Sequence, residues 1–219
     1  MKSFKMPFLI IAILMLSSNC KKNDPVPRIN LIAYYPLTTD GVDLTGFNGP
    51  MTLHNTPFQN GGIYCNGKYE YSPDKDYCIA KSPSINSLKF NSFSISMDFF
   101  VSENSGQPVW IIGSGCRWLG YYLNLDGTVS LYYNNSNFFT TQTNYSLNEW
   151  HKAKISFDGT IAKIFLDNNL AGSLKFGDGN VPLDYNVCGN FDNEIGVTNY
   201  SDAEVFKGYV RNLQVYSPQ

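Results

Sequence analysis

From residue 93 onward, apolar and polar residues alternate in short runs separated by Gly, Asn, Asp and Pro, the period-2 pattern of half-buried strands. In the run 94–101, Ile95, Met97, Phe99 and Val101 share one face, while Ser94, Ser96, Asp98 and Phe100 take the other. Leu119, Tyr121, Leu123 and Leu125 form the apolar face of the next run, and Val129, Leu131 and Tyr133 that of the run after Asp126-Gly127. A two-residue turn there would put the two apolar faces out of step. Register therefore predicts a three-residue loop with positive φ at Gly127 or its neighbour, pairing Leu125 with Val129 and Tyr122 with Tyr132. Beyond the Asp158-Gly159 turn, Ala162, Ile164 and Leu166 are expected to face inward. So are Leu170, Gly172 and Leu174, across a turn at Asp167-Asn168-Asn169. The last run, Phe206 to Tyr216, is apolar at both parities, as in a central strand covered on both sides. Helical periodicity is nearly absent, so the fold class is all-β, an antiparallel two-sheet sandwich of the jelly-roll type.

The N-terminus follows a different pattern. Lys2 and Lys5 precede an uninterrupted apolar stretch from Phe8 to Leu16, far short of the roughly 20 residues that span a bilayer. Residues 1–19 read as an export signal. Leu16-Ser17-Ser18-Asn19-Cys20 resembles a bacterial lipoprotein signal of the looser kind met in the Bacteroidetes, which implies that Cys20 becomes the lipid-bearing first residue. Multiple acyl chains, at about 0.8 kcal/mol per buried methylene, anchor firmly where one chain does not. Residues 20–30, with Lys21, Lys22, Pro25 and Pro27, form a tether, and 31–219 the folded domain. The expected address is the bacterial envelope, at the outer membrane or cell surface.

Four further cysteines remain, Cys65, Cys78, Cys116 and Cys188. An even count in an exported chain predicts two disulfides, with three connectivities open and Cys65–Cys78 with Cys116–Cys188 preferred. The net charge of −2 and the lack of a basic block argue against nucleic acid as a partner. Aromatic residues make up 15% of the chain, a composition that suits both strands and carbohydrate-facing surfaces.

Trp150-His151, alternating Ala153, Ile155 and Phe157, Asp158-Gly159 and Ile164-Phe165-Leu166-Asp167-Asn168 together resemble the concanavalin A-like, laminin-G-like jelly-roll domains. Three further segments agree in order: Ala33–Leu37 with Asp43–Gly49, then Ile63–Gly67, then Phe206–Tyr216. The resemblance covers residues 31–217. It implies a glycan or protein partner and, near the opening loop, calcium held by Asp40, Asp43 and Asn48 through oxygen ligands. No other cofactor is indicated. Arg211-Asn212 stands where many relatives carry acids, which weakens an acid-based role for the closing strand.

Carbohydrate recognition is the reading favoured over catalysis. The expected register places Tyr122, Tyr132 and Asn124 on the face away from the core, with Arg117 and Trp118 at its rim and Asp98 also pointing outward. The rivals are a glycoside hydrolase or lyase of the same fold, for which Asp192 and Glu194 are the nearest approach to paired carboxylates, and a protein-binding adhesion module. No Gly-x-Ser-x-Gly elbow occurs, and His151, sharing parity with Ala153 and Ile155, is expected to be a satisfied core histidine.

Overall fold

The computed structural model describes residues 29–68, 77–85, 92–104, 107–112, 119–133, 137–176, 193–196 and 206–218. Among these the chain forms strands only. In order they are β1 (Ile29–Tyr35), β2 (Thr52–His54), β3 (Phe58–Gln59), β4 (Gly62–Asn66), β5 (Ile79–Lys81), β6 (Phe93–Phe100), β7 (Gln107–Ile112) and β8 (Leu119–Leu123). They continue as β9 (Thr128–Tyr133), β10 (Asn137–Asn144), β11 (Trp150–Phe157), β12 (Ile161–Leu166), β13 (Asn169–Lys175), β14 (Asn193–Ile195) and β15 (Lys207–Pro218). The first sheet runs β13-β12-β11-β6-β15-β4-β3, with β1 also on β15, and the second runs β10-β9-β8-β7-β14-β5-β2. Every pairing is antiparallel.

The core lies between the sheets, as the alternation requires. Ile95, Met97 and Phe99 of β6 are fully buried, and so are Ala153 and Ile155 of β11 and Ala162 and Ile164 of β12. Tyr121, Leu123, Val129 and Leu131 meet them from the second sheet. A polar tie crosses this interior: the Tyr121 hydroxyl donates to the Phe165 carbonyl at 3.1 Å, which satisfies a group that burial would otherwise penalise. That burial, together with the nearby Asp167 charge, pushes the phenol well above its ordinary range.

The closing strand corrects one expectation. β15 is central, but its mixed parity comes from a bulge and not from cover on both sides. Arg211 opposes Asp98 and Gln214 opposes Ser96, so two residues, Asn212 and Leu213, face Met97 alone. Asn212 takes φ 56°, the left-handed conformation that asparagine tolerates better than most residues. Val210 before the bulge and Leu213 and Val215 after it therefore all reach the core.

Register differs at two hairpins. The β8–β9 loop is the three-residue Leu125-Asp126-Gly127, with Asn124 N–H to Thr128 O at 2.8 Å and Gly127 at φ 82°. It begins one residue earlier than expected, which moves the register by two, so Leu123 opposes Val129, and Leu125 sits in the loop 73% exposed. The β12–β13 turn has two residues, Asp167 (φ 50°) and Asn168 (φ 67°), the positive-φ pair of a type I′ hairpin. Leu170 consequently opposes Phe165 and is 58% exposed instead of facing inward. The register shift that follows it sets Gly172 opposite Ile164.

Cys65 and Cys78 are buried thiols that form no disulfide, so the expected Cys65–Cys78 bridge is absent. The Cys78 thiol instead donates to the Asn55 carbonyl, while burial first and then the nearby Cys78 push the Cys65 thiol up. Cys116, Cys188 and Cys20 lie outside the described residues.

At one edge the sheets meet where Phe139 of β10 lies over Gly172 of β13. A Cβ on Gly172 would come within 2.2 Å of the Phe139 ring. Gly172→Ala is expected to cost about 1–3 kcal/mol by overpacking, read from urea unfolding midpoints. Adding Phe139→Leu should restore part of that loss.

Candidate functional site

The outer face of the first sheet is a grid set by cross-strand pairing. In the first row, Trp150 opposes Phe100, Phe100 opposes Tyr209, and Tyr209 opposes Tyr64. Their rings lie 5.8, 5.7 and 5.1 Å apart in turn, a tilted aromatic band across four strands. The second row is Lys152, Asp98 and Arg211. The third is Lys154, Ser96, Gln214 and Tyr34, and the fourth Ser156, Ser94 and Tyr216. Most of these side chains are half-buried, as on a face lying under neighbours of its own kind.

The bulge in β15 shapes the middle of the grid. It turns Asn212 so that its amide donates to Asp98 Oδ2 at 2.8 Å, beside Arg211 Nε at 3.3 Å. The Tyr34 hydroxyl donates to the Asn212 side-chain Oδ1 at 3.3 Å. The Arg211 guanidinium lies 3.9 Å over the Trp150 ring, a cation–π contact that joins the aromatic and charged rows. Asp98 therefore points outward as expected, yet its Oδ2 is already engaged.

The residues singled out from the sequence do not converge. Asp98 belongs to the first sheet, whereas Tyr122, Asn124 and Tyr132 lie on the outer face of the second. Tyr122 opposes Ser130, and Tyr132 opposes Gly120. The two tyrosines therefore meet diagonally, with ring centroids 6.4 Å apart and planes 18° apart. Tyr132 is only 3% exposed, so the open stacking surface expected there is corrected to a packed one. The Asn124 amide donates to Thr128 Oγ1 at 2.8 Å and Ser130 Oγ at 2.7 Å, and thereby fastens the hairpin end. Arg117 and Trp118 lie outside the described residues.

The opening loop is built around Asp43. Its Oδ1 accepts the Tyr34 and Thr45 N–H groups at 2.8 and 3.0 Å. Its Oδ2 accepts the Thr45 hydroxyl at 2.7 Å and the Asn48 N–H and amide at 2.9 and 2.8 Å. Burial alone would raise this carboxyl, but the Tyr34 amide, the Thr45 hydroxyl, Asn48 and the Thr45 amide outweigh it and hold it below the usual carboxylate range. Asp40 Oδ1 accepts the Val42 N–H at 3.1 Å. Donors already converge on both Asp43 oxygens, and Asn48 presents its NH₂ to them, so Asp40, Asp43 and Asn48 do not fit a calcium ligand set. Among the described residues no group of three or more His, Cys, Asp or Glu is placed to hold a metal.

A serine, a histidine and an aspartate do come together at Ser146, His151 and Asp167. His151 Nδ1 lies 2.8 Å from Asp167 Oδ2, while Nε2 lies 2.9 Å from the Ser146 carbonyl and 3.0 Å from its hydroxyl. The serine proton is directed to Glu149 Oε2 at 2.8 Å, and Asp167 Oδ1 accepts the Lys152 N–H. The imidazole packs on Phe99 and Tyr145. This is the satisfied core histidine expected from parity: it fastens the 145–149 turn and leaves no free base for a nucleophile. Glu194 is buried on β14, with Lys81 Nζ 3.8 Å from its carboxylate, and Asp192 lies outside the described residues.

Alternation in 94–100 and 150–156 already separates Trp150, Lys152, Lys154 and Asp98 from the core side chains, so half of the grid carries a sequence signal. Arg211, Tyr209 and Tyr64 join it only through the pairing of β15, which no local pattern reveals.

The laminin G 3 family, described as the concanavalin A-like lectin/glucanases superfamily, matches residues 74–218, more than half of the chain. No curated protein matches significantly. Domain 4 of AbnA, a GH43 extracellular arabinanase from Geobacillus stearothermophilus solved with arabinotriose, aligns with a TM-score of 0.64 and 19% identity, over 87% of this chain and 93% of that one. Trypanosoma rangeli sialidase aligns at 0.63 and 13% identity, over 85% of this chain and 30% of the sialidase. The binding domain of botulinum neurotoxin DC, in complex with SialylT, aligns at 0.56 and 12%, over 85% of this chain and 47% of that one. At these identities the likeness is one of fold.

The Asp43 geometry sets a pH dependence. Its folded carboxyl lies below the unfolded value of about 3.9, so its stabilisation is complete above that pH and drains away as pH falls toward the lower folded value. Asp43→Asn is expected to lose roughly 2–4 kcal/mol at neutral pH. The loss should shrink in acid-unfolding titrations below about pH 4.

Proposed function

We propose that this chain, which belongs to the concanavalin A-like lectin/glucanases superfamily, is a glycan-binding module whose recognition surface is the outer face of its first sheet. The carrying observation is the row Trp150, Phe100, Tyr209 and Tyr64 beside the row Lys152, Asp98 and Arg211. Rings of this kind stack on the C–H faces of sugars, and adjacent amides and charges hydrogen-bond their hydroxyls. Asp98, Arg211 and Asn212 are already tied together, so little ordering remains to be done on binding. The mode is adsorption, with no covalent step. Structural neighbours solved with arabinotriose and with SialylT support a sugar-directed role for the fold.

A second reading, a protein-binding adhesion module, draws on one observation. Val42, Leu44 and Phe47 are exposed apolar residues of a single loop, Phe47 at 77%. Under that reading Phe47→Ser would abolish partner capture while sparing sugar binding.

We also read residues 1–19 as a signal and the segment from Cys20 up to β1 as a lipid-bearing tether, which would display this face on the cell envelope. Cys20→Ala is expected to move the protein from the membrane pellet to the soluble fraction and to abolish palmitate labelling.

A glycan array on the folded protein tests the main reading. Tyr209→Ala and Tyr64→Ala should each weaken binding roughly tenfold, an effect of about 1.4 kcal/mol. Tyr122→Ala on the other sheet should leave it unchanged. A flat array, or loss confined to Tyr122→Ala, rejects the assignment of this face.

A further inference from the structure

We infer that a groove on this same face, between β6, β11 and β15, binds the carboxylate of an acidic sugar residue, an inference that rests on the glycan-binding reading above. The groove encloses about 190 Å³ and is lined by Ser94, Ser96, Lys152, Lys154, Gln214 and Tyr216 among others. That is less than the roughly 300–1,000 Å³ of drug-sized ligand sites, and it suits one sugar unit of a chain whose neighbours lie over the aromatic row.

Charge selects the ligand. Lys152 and Lys154 are two residues apart on one strand and so project on the same side, about 7 Å apart. Among the described residues neither ammonium has a carboxylate within 4.0 Å. The acid opposite Lys152 is Asp98, whose Oδ2 is shared by Arg211 and Asn212. The acid beside it, Asp167, is held by His151 Nδ1 and by the Lys152 backbone N–H. Lys154 Nζ lies 5.2 Å from the centre of the Phe165 ring. A protein of net charge −2 thus keeps two cations side by side over a pocket with no close carboxylate among the described residues.

A second observation points to a ligand with hydroxyl groups. Ser94 lines the same groove, and its Oγ is buried without a hydrogen-bond partner among the described residues, a state that is costly when left unmet. Gln214 accepts the Tyr216 hydroxyl at its Oε1 at 3.0 Å, which orients its NH₂ as a donor along the same wall. A sugar acid supplies what each group lacks: a carboxylate for the two ammoniums, and ring hydroxyls for Ser94, Ser96 and Gln214. A neutral sugar leaves the lysines unanswered.

The test uses the full chain with polygalacturonate, alginate and hyaluronan as carboxylated polymers, methyl-esterified polygalacturonate and arabinan as uncharged ones, and heparin as a sulfated polyanion. Binding is measured by calorimetry or affinity electrophoresis. The expected result is that at least one carboxylated polymer binds and that Lys152→Gln/Lys154→Gln weakens it tenfold or more. Ser94→Ala should weaken it several-fold, and esterification should abolish the preference. Lys68→Gln/Lys175→Gln, which removes the same charge away from the groove, should leave binding unchanged. If ester and acid bind alike, or the Lys152/Lys154 pair is silent, the inference fails while the glycan-binding reading stands. If heparin binds best and both double variants weaken it equally, the attraction is charge alone and the inference fails. If no polymer binds, both fail together.

Discussion

Most of this structure follows from one demand: the closing strand must satisfy its backbone hydrogen bonds on both edges along twelve residues. β6 serves one edge from Tyr209 to Tyr216. The other edge is shared end to end by two short strands, β4 along Lys207 to Val210 and β1 along Leu213 to Pro218. Where they abut, Asn212 has no strand partner and donates its N–H to the Pro36 carbonyl at 2.9 Å, just before Leu37 at φ 57°. The bulge is the physical solution to that seam. It reverses the parity of the strand so that both halves feed the core, and it swings Arg211 and Asn212 onto Asp98.

The outer face that results is not a passive solvated surface. Its aromatic row and its Arg211–Trp150 contact stabilise the sheet by cross-strand packing, at about 0.2–1 kcal/mol per pair. The groups that would meet a sugar are thus the groups that keep the strands in register. Such a surface arrives rigid, because its side chains are already held by their neighbours before any ligand comes. The second sheet behaves differently. One of its outer tyrosines, Tyr132, is packed away, and Asn124, Ser130 and Thr140 on the same face hydrogen-bond one another.

Much of the architecture was legible because alternation reports which face of a strand is buried. Ile95, Met97 and Phe99, then Tyr121 and Leu123, then Ala162 and Ile164 are all in the core where parity placed them. What alternation does not report is the offset between strands. A shift of two residues keeps every side chain on its proper face, so the pattern could not distinguish Leu123–Val129 from Leu125–Val129 pairing. That silent offset turns the expected direct Tyr122–Tyr132 pair into a diagonal one. Non-local pairing is equally hidden: parity places Asp98 outward, but its meeting with Arg211 spans more than a hundred residues and depends on the bulge. The Asp43 loop was legible as a motif, while its chemistry inverted on folding. The oxygens expected to face a cation turned to N–H and O–H donors of their own loop.

The pairing of Ile29 with Pro218 puts the first and last described residues side by side at one end of the sandwich. The aromatic row lies toward the opposite end, where β15 begins at Lys207. A pull entering through Ile29 and resisted by whatever grips Tyr209 would run lengthwise along β1 and β15. The load would then fall on several ladder bonds at once in shear instead of peeling them singly, the orientation in which a paired strand yields least readily.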